Sequence, residues 1–206
     1  MATGESMSVA TKLPLTAGLA ARLSRWAFAL LAVLAMGALF PSIARADGIS
    51  VRNATLQLAD DGWQLEAQFD MQFNARLEEA VNRGVPLFFV VEFEISRPRW
   101  YWFDEKPIQA SQVYKISYTP LLRQYRLSVG NLYQNFTRFE EVTRVLSRLR
   151  GWHVADKGAF RKDQVYQAAL RMRLDTAQLP KPFQLNAIAS RDWTLESDWH
   201  RWSITP

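Results

Sequence analysis

The sequence predicts a mainly β protein, an antiparallel β-sandwich that is Ig-like in general architecture, with two short helical insertions after an N-terminal signal helix. Polar and apolar residues alternate with a period of two along most of the chain after residue 47, as in strands with one buried face. Turn-forming residues separate these runs. None of the 206 residues is cysteine, which excludes a disulfide framework and a zinc–thiolate site.

The first 46 residues are typical of a signal peptide. An uncharged apolar run, Trp26–Phe40, follows Arg22 and Arg25 and precedes the small-x-small triplet 44–46. A basic start, a short apolar run and a small-x-small site together mark a leader that is removed on export. We therefore expect the general secretory route, cleavage after Ala46 and a mature periplasmic chain that begins at Asp47.

The alternative is a retained leader that anchors the protein in the inner membrane, with its domain on the periplasmic face. The apolar run has 15 residues, whereas a helix that spans a membrane needs about 20. This length favours cleavage. We expect membrane contact only if the leader is retained.

The net charge argues against a nucleic-acid partner. Residues 1–46 hold four of the 25 basic residues and one of the 20 acidic ones, so the charge falls from +5 for the whole chain to +2 for the mature one. Nucleic-acid binding depends on many basic side chains that neutralise phosphates. We predict no such partner.

The mature chain is predicted to begin with a β-hairpin. Alternation over Ile49–Leu58 and Trp63–Phe73 indicates two half-buried strands. Asp60-Asp61-Gly62 supplies the turn between them, because glycine readily takes a positive φ. In the first strand the apolar residues change from odd-numbered to even-numbered positions near Asn53, which predicts a bulge there.

A helix and a third strand follow the hairpin. Asn74 is a suitable N-cap for a helix over Ala75–Arg83, and the glycine after it is a suitable end. The next strand, Leu87–Ile95, has one fully apolar face. Its other face begins apolar and ends with Glu92 and Glu94, so we expect that end to be solvated.

The second half of the chain is predicted to hold one more helix and further strands, all within a single β-rich domain, 47–206. Thr137 and Glu140 match a capping box for a helix over Arg138–Arg150, which Gly151 would end. In the last segment the apolar residues change from odd-numbered to even-numbered positions, so we expect a bulge or a turn near Ser197-Asp198. The predicted strand segments are Gln109–Tyr118, Gln124–Val129, Gln164–Leu174, Phe183–Ala189 and Asp192–Ile204.

An aromatic and basic cluster at 97–104 has the most unusual local composition of the chain, and we predict that it forms the binding site. Aromatic rings beside arginine donors are suited to stacking on sugars or to a hot spot of protein contact. The alternative is a buried plug in which the arginines stack on the rings. The predicted binding residues are Arg97, Arg99, Trp100, Tyr101 and Trp102.

The common catalytic signatures are missing from the sequence. Glu92 and Glu94 lie about 7 Å apart on one strand face, a spacing that would suit glycoside hydrolysis. Strand alternation alone, however, already predicts polar residues there. The two histidines, His153 and His200, have no spacing that favours a metal. We therefore predict no catalytic residue, no metal and no cofactor.

Three tryptophans lie near the end of the chain. Trp193 shares its parity with Trp199, whereas Trp202 falls on the other parity. We expect all three rings to close the hydrophobic core as the last strand docks, because large aromatic side chains contribute much of the buried area of a core.

Six segments of the mature chain carry a resemblance to a known family. They are Gly84-Val85-Pro86-Leu87, RPRWYWFD at 97–104, YTPLLRQY at 118–125, Leu174-Asp175, LPKP at 179–182 and the tail DWTLESDWHRW at 192–202. Over residues 47–206 the chain resembles an exported proteobacterial family known only as a domain of unknown function (DUF4390). The resemblance implies export, a β-rich domain and no established activity, and it assigns no functional residues.

Export, the missing catalytic motifs and the aromatic cluster together predict a non-enzymatic periplasmic protein that binds a protein or another component of the cell envelope. One alternative is a membrane-tethered accessory subunit with an uncleaved leader. The other is a carbohydrate-binding or carbohydrate-active protein that stacks sugar rings on Trp100 and Trp102.

Overall fold

Nine strands and three helices follow one another in the computed structural model, which describes residues 48–97 and 105–206. The strands are β1 (Ile49–Ala59), β2 (Gly62–Met71), β3 (Leu87–Arg97), β4 (Glu105–Thr119), β5 (Gln124–Val129), β6 (Leu132–Phe136), β7 (Arg148–Ala155), β8 (Tyr166–Leu174) and β9 (His200–Ile204). The helices are α1 (Ala75–Asn82), α2 (Phe139–Leu146) and α3 (Lys181–Ala189), and Thr176–Gln178 and Arg191–Trp193 form short 3₁₀ helices.

The strands form two antiparallel sheets, so the prediction of a mainly β, sandwich-type protein is confirmed. The smaller sheet has the order β1-β2-β7, and the larger one has the order β6-β5-β4-β3-β8-β9. β3 lies in the middle of the larger sheet, between β4 and β8. This position explains why its inward face is fully apolar.

The hydrophobic core joins residues of both sheets in one buried cluster. Phe89 and Phe93 of β3 are 0% and 1% exposed. The ring of Phe93 lies 6.4 Å from that of Trp152 in β7, so a direct aromatic contact connects the two sheets. Burial of this kind is the main favourable term in the folding free energy.

The first hairpin matches its prediction in detail. The β1–β2 register shifts between Val51 and Asn53, which confirms the bulge. Gly62 has a φ of +134°, and a Cβ added there would lie 2.5 Å from the carbonyl oxygen of Ala155. Only glycine fits this position, because both the backbone angle and the space exclude a side chain.

Helix α1 also forms where the sequence predicts it. The Asn74 side chain accepts a hydrogen bond from the backbone N–H of Leu77 at 2.9 Å, as an N-cap residue does. Leu77 and Val81 are buried on the inner side of the helix. Gly84 follows with a φ of +88°, which is typical of the residue after a helix end.

The predicted helix over Arg138–Arg150 is wrong in its second half. Helix α2 ends at Leu146, and Arg148–Ala155 forms β7, which pairs with β2. Leu149 is buried in the strand, and Gly151, with a φ of +58°, lies within the strand and does not end the helix. The capping box is also absent, because Arg138 holds the N-cap position and makes no side-chain capping bond.

The predicted strand over Phe183–Ala189 is wrong, because this segment is helix α3. Phe183 and Ala187 both pack against the core, and residues four apart share one face of a helix. Pro182 lies in the first turn, where proline is well tolerated. The part of the domain that the structure describes therefore contains three α-helices, whereas the sequence predicted two.

Candidate functional site

The outer face of the six-stranded sheet becomes more polar toward one end of its central strands. Phe88 and Val90 of β3 begin this face, and Glu92, Glu94 and Ser96 continue it. Cross-strand neighbours extend the polar end to both sides. Glu92 lies between Ser111 and Arg171, and Glu94 lies between Gln109 and Ala169.

A bulge in the tail brings a tryptophan to this face. Glu196 pairs with Arg173, and His200 pairs with Leu170. Three tail residues lie between these pairs, whereas β8 has only two, so the tail has one extra residue here. The predicted bulge near Ser197-Asp198 is therefore confirmed. It places Trp199 on the outer face, opposite Arg171.

Arg171 connects this tryptophan to a carboxylate. Its guanidinium carbon lies 4.5 Å from the centroid of the Trp199 ring, a cation–π distance. Its Nε donates a hydrogen bond to Oε2 of Glu92. Arg173 Nη2 donates to the other oxygen of Glu92 at 3.2 Å, and Arg173 Nη1 lies 3.6 Å from Oδ1 of Asp175. The two arginines hold the carboxylate in a fixed orientation.

These contacts set the protonation of Glu92. Partial burial acts to raise the pKa of Glu92, but the hydrogen bonds and positive charges of Arg171 and Arg173 outweigh burial and lower that pKa below its ordinary value. A general acid needs a raised pKa, so Glu92 is unsuited to protonate a leaving group. The expectation that Glu92 is simply solvated is also wrong, since its side chain is half-buried and ion-paired.

Two pockets flank Trp199 on this face, with volumes of about 270 and 240 Å³. Each has Trp199 and Glu94 in its wall, so the two pockets are neighbours. We call this surface, with its lining residues, the Trp199 surface. The lining residues are Glu92, Phe93, Glu94, Ser96, Gln109, Ala110, Ser111, Gln167, Ala168, Ala169, Arg171, Trp199 and Arg201.

Of the five predicted binding residues, only Arg97 is among those that the structure describes. It ends β3, and its Nη1 lies 3.4 Å from Oε1 of Gln164. Arg99, Trp100, Tyr101 and Trp102 lie outside the described residues. The Trp199 surface reaches Ser96, the residue directly before Arg97, so it adjoins the point where the chain enters the 97–104 cluster.

The three tail tryptophans do not share one role. Trp193 is buried, and the Trp202 ring lies 6.2 Å from that of Phe93, so these two close the core as predicted. The prediction for Trp199 is wrong, because the extra tail residue turns it to the outer face.

Neither histidine lies near a cluster of other metal-ligating side chains in the described ranges, where no group of three or more His, Cys, Asp or Glu residues could hold a metal ion. Nε2 of His153 lies 3.1 Å from the backbone oxygen of Asp61. The ring of His200 lies 5.5 Å from that of Trp202. Each histidine therefore contacts another residue of the fold, His153 through a hydrogen bond to the backbone and His200 through an aromatic ring.

Sequence reasoning missed the Trp199 surface although its signals were present. The alternation of β8 already turned Arg171 and Arg173 outward, and the parity slip in the tail was visible. What the sequence could not provide was the pairing of the tail with β8, which depends on contacts between distant segments.

The comparisons with known proteins identify a family only. A family model described as "Domain of unknown function (DUF4390)" matches residues 46–203. No curated protein and no solved structure was found to match the chain. Within residues 48–97 and 105–206, no helix is long and apolar enough to cross a membrane.

Proposed function

Since this chain belongs to the DUF4390 family, whose description names no activity, we propose a function from its own sequence and surface. The protein is exported to the periplasm, where it binds a protein or another component of the cell envelope and catalyses no reaction. The Trp199 surface, together with the cluster at 97–104 that the sequence predicts to bind, is the contact region. The position of Trp199 on the outer face, fixed by Arg171, is the observation that carries the proposal.

The chemistry of this surface supports binding. Tryptophan and arginine are the residues most enriched among interface hot spots, because they combine a large apolar area with donors in fixed directions. Arg171 is held between Glu92 and the Trp199 ring, so little side-chain freedom remains for a partner to restrict. A surface ordered in advance binds with a smaller entropy loss.

The sequence supports the proposed export and the proposed absence of catalysis. The basic, apolar and small-x-small parts of residues 1–46 are those of a cleaved leader. The chain also lacks the common catalytic motifs. Amino-terminal sequencing of the protein recovered from whole cells tests the leader. A mature chain that starts at Asp47 supports export, and a retained leader supports the membrane-tethered alternative.

Capture from the cell envelope tests the contact region. Exported protein, immobilised and exposed to an envelope extract, is compared with a Trp199→Ala variant. We expect Trp199→Ala to reduce capture of a specific component at least tenfold, the effect of losing a hot spot of about 1.4 kcal/mol or more. Tyr133→Ala removes another exposed aromatic ring, on β6, and should leave capture unchanged. Equal capture by Trp199→Ala and the wild-type protein would contradict the proposed region.

A carbohydrate is the second candidate ligand, because the walls beside Trp199 consist largely of serine, glutamine, glutamate and arginine. Sugar-binding sites combine an aromatic ring with such hydrogen-bonding groups. A glycan array distinguishes this candidate. Binding that is lost in Trp199→Ala or in the double variant Trp100→Ala, Trp102→Ala supports it, and binding that both variants retain removes it.

A further inference from the structure

A second, independent depression lies on the outer face of the three-stranded sheet. It has a volume of about 400 Å³ and is lined mainly by polar side chains of all three strands. Two cross-strand rows form its floor. One row is Asn53, Gln68 and Arg148, which the strand register places side by side. The second row contains Thr55 and Glu66, with Arg150 of β7 beside them.

Bulges in two strands shape this depression. The pairs Leu65–Trp152 and Ala67–Leu149 leave Glu66 opposite two residues of β7, Arg150 and Gly151. Gly151 has a φ of +58°, which allows the strand to bend at this point. As a result Leu149 and Trp152 both pack inward, while Arg148 and Arg150 both lie among the residues that line the outer depression. The β1 bulge lies at the other side of the depression, next to Asn53.

The two arginines of this depression differ from three other arginines of the sheets, which are ion-paired. Arg52 pairs with Asp70 at 2.7 Å, and both Arg171 and Arg173 pair with Glu92. Arg148 and Arg150 are exposed and form no ion pair with any residue in the described ranges. Strand positions two residues apart are about 7 Å apart, so the long side chains of Arg148 and Arg150 can turn toward a single anion between them.

We propose that this depression binds a phosphate group carried by another molecule. Arg148 and Arg150 donate to its terminal oxygens in the forked geometry that guanidinium groups offer to phosphate. Gln68 and Asn53 add amide donors beside Arg148. The depression therefore offers enough donors for the three terminal oxygens of a phosphate, which is more than the two oxygens of a carboxylate would use. Glu66 lies in the same depression and opposes additional negative charge, which limits the site to one phosphate group. The ligand is either a soluble phosphate compound or the headgroup of a lipid.

Two probes test the proposal on the full-length protein. Inorganic phosphate is titrated in solution at low salt. Vesicles of phosphatidic acid in phosphatidylcholine are compared with vesicles of phosphatidylcholine alone, because the phosphate of phosphatidic acid has three terminal oxygens and that of phosphatidylcholine has two. Saturable binding of inorganic phosphate supports a soluble phosphate ligand. Binding to the phosphatidic acid vesicles without binding of inorganic phosphate supports a lipid headgroup. Binding of neither probe overturns the proposal.

Substitutions separate a built site from general attraction between charges. We expect the double variant Arg148→Ala, Arg150→Ala to weaken binding at least tenfold, and the double lysine variant to weaken it as well, because lysine keeps the charge but not the fork. Arg144→Ala removes the same charge from an exposed position of α2 outside the depression and should leave affinity unchanged. Glu66→Gln should strengthen binding severalfold, since it removes the opposing carboxylate. Equal losses of affinity in Arg144→Ala and in the single variants Arg148→Ala and Arg150→Ala would overturn the proposal. Weaker binding by Glu66→Gln would also overturn it.

Discussion

Arg171 organises the outer face of the larger sheet through contacts on two sides. Its guanidinium group stacks on Trp199 and binds Glu92, so the orientation of the aromatic ring and that of the carboxylate depend on the same side chain. In double-mutant cycles such linked contacts show coupling, since the loss of one member changes the environment of the other two. The Trp199 surface should therefore behave as one unit in mutational experiments.

The lowered pKa of Glu92 predicts a pH-dependent contribution to stability. A carboxylate whose pKa is lower in the folded state stabilises the fold above its unfolded pKa, and that stabilisation is lost as the pH falls through the folded pKa. We expect Glu92→Gln to reduce the free energy of unfolding by about 1–2 kcal/mol at pH 7, a value between those of exposed and buried ion pairs. Below a pH of about 4 the difference from the wild-type protein should shrink.

Denaturant unfolding at several pH values measures this difference. Glu66→Gln is the matched control, because Glu66 is exposed and forms no ion pair with any residue in the described ranges, so its effect should stay near zero at every pH. A Glu92→Gln effect that stays constant from pH 7 to pH 3 would show that the ion pairs contribute nothing.

Among the strands, those with one buried face were predicted from the sequence, because burial imposes an alternating pattern of polar and apolar residues. β2, β3 and β8 each have one buried face and one more accessible face, so their alternation was clear and their positions were predicted. β6 is an edge strand that is exposed along almost its whole length, and it was missed because no buried face imposes a pattern on it. β7 was missed because its bulge breaks the period of two.

Helix α3 shows how a short segment can fit two periods. Phe183, Leu185 and Ala187 alternate as in a strand, yet Phe183 and Ala187 are also four residues apart, as on one side of a helix. In the structure Phe183 packs against Trp193 with a ring distance of 5.9 Å, whereas Leu185 is 72% exposed. Tertiary contacts that the local sequence does not contain therefore decided between the two periods.

This difference predicts unequal effects of two substitutions in α3. Phe183→Ala should lower the free energy of unfolding by about 2 kcal/mol, less than the 3–5 kcal/mol of a fully buried phenylalanine, because the ring is only partly buried. Leu185→Ala should change it by less than about 0.5 kcal/mol, because the side chain already lies in solvent. Thermal or denaturant unfolding measures both. Equal losses would indicate the strand arrangement, in which the two side chains share a face.

The candidate site was only partly predictable, because it too depends on contacts between segments that are distant in the sequence. The sequence indicated outward arginines on β8 and a parity slip in the tail, but it directed attention to 97–104, where the composition is unusual. Trp199 has an ordinary local context, and its role arises only from the pairing of its segment with β8. Composition can indicate a cluster within one segment, whereas a site assembled from four strands requires the sheet order.

At the scale of the whole molecule, the two sheets depend on each other through a shared core. Phe93 of the larger sheet and Trp152 of the smaller one are in ring contact. Neither sheet could bury these rings alone, since each would leave one of its faces open to water. We therefore expect the two sheets to unfold together.

A double-mutant cycle tests this dependence. Phe93→Ala should lower the free energy of unfolding by about 3–5 kcal/mol. Combined with Trp152→Ala, it should show a coupling energy of about 0.5–1.5 kcal/mol, as expected for an aromatic pair. The matched cycle of Phe93→Ala with Leu132→Ala, an exposed residue on the distant edge strand, should be additive. Additivity in the first cycle would mean that the contact between the sheets contributes nothing beyond buried area.

The extra residue opposite Arg171 has a consequence for how this tail tolerates changes in length. Deleting Asp198 would leave Trp199 opposite Arg171 and His200 opposite Leu170, so every neighbouring side chain would keep its side of the sheet. Deleting a residue within β9 would instead turn the residues beyond it to the opposite side. Related sequences that are one residue shorter in the tail should therefore have lost it at the position of Asp198, and one-residue insertions or losses within 200–204 should be rare.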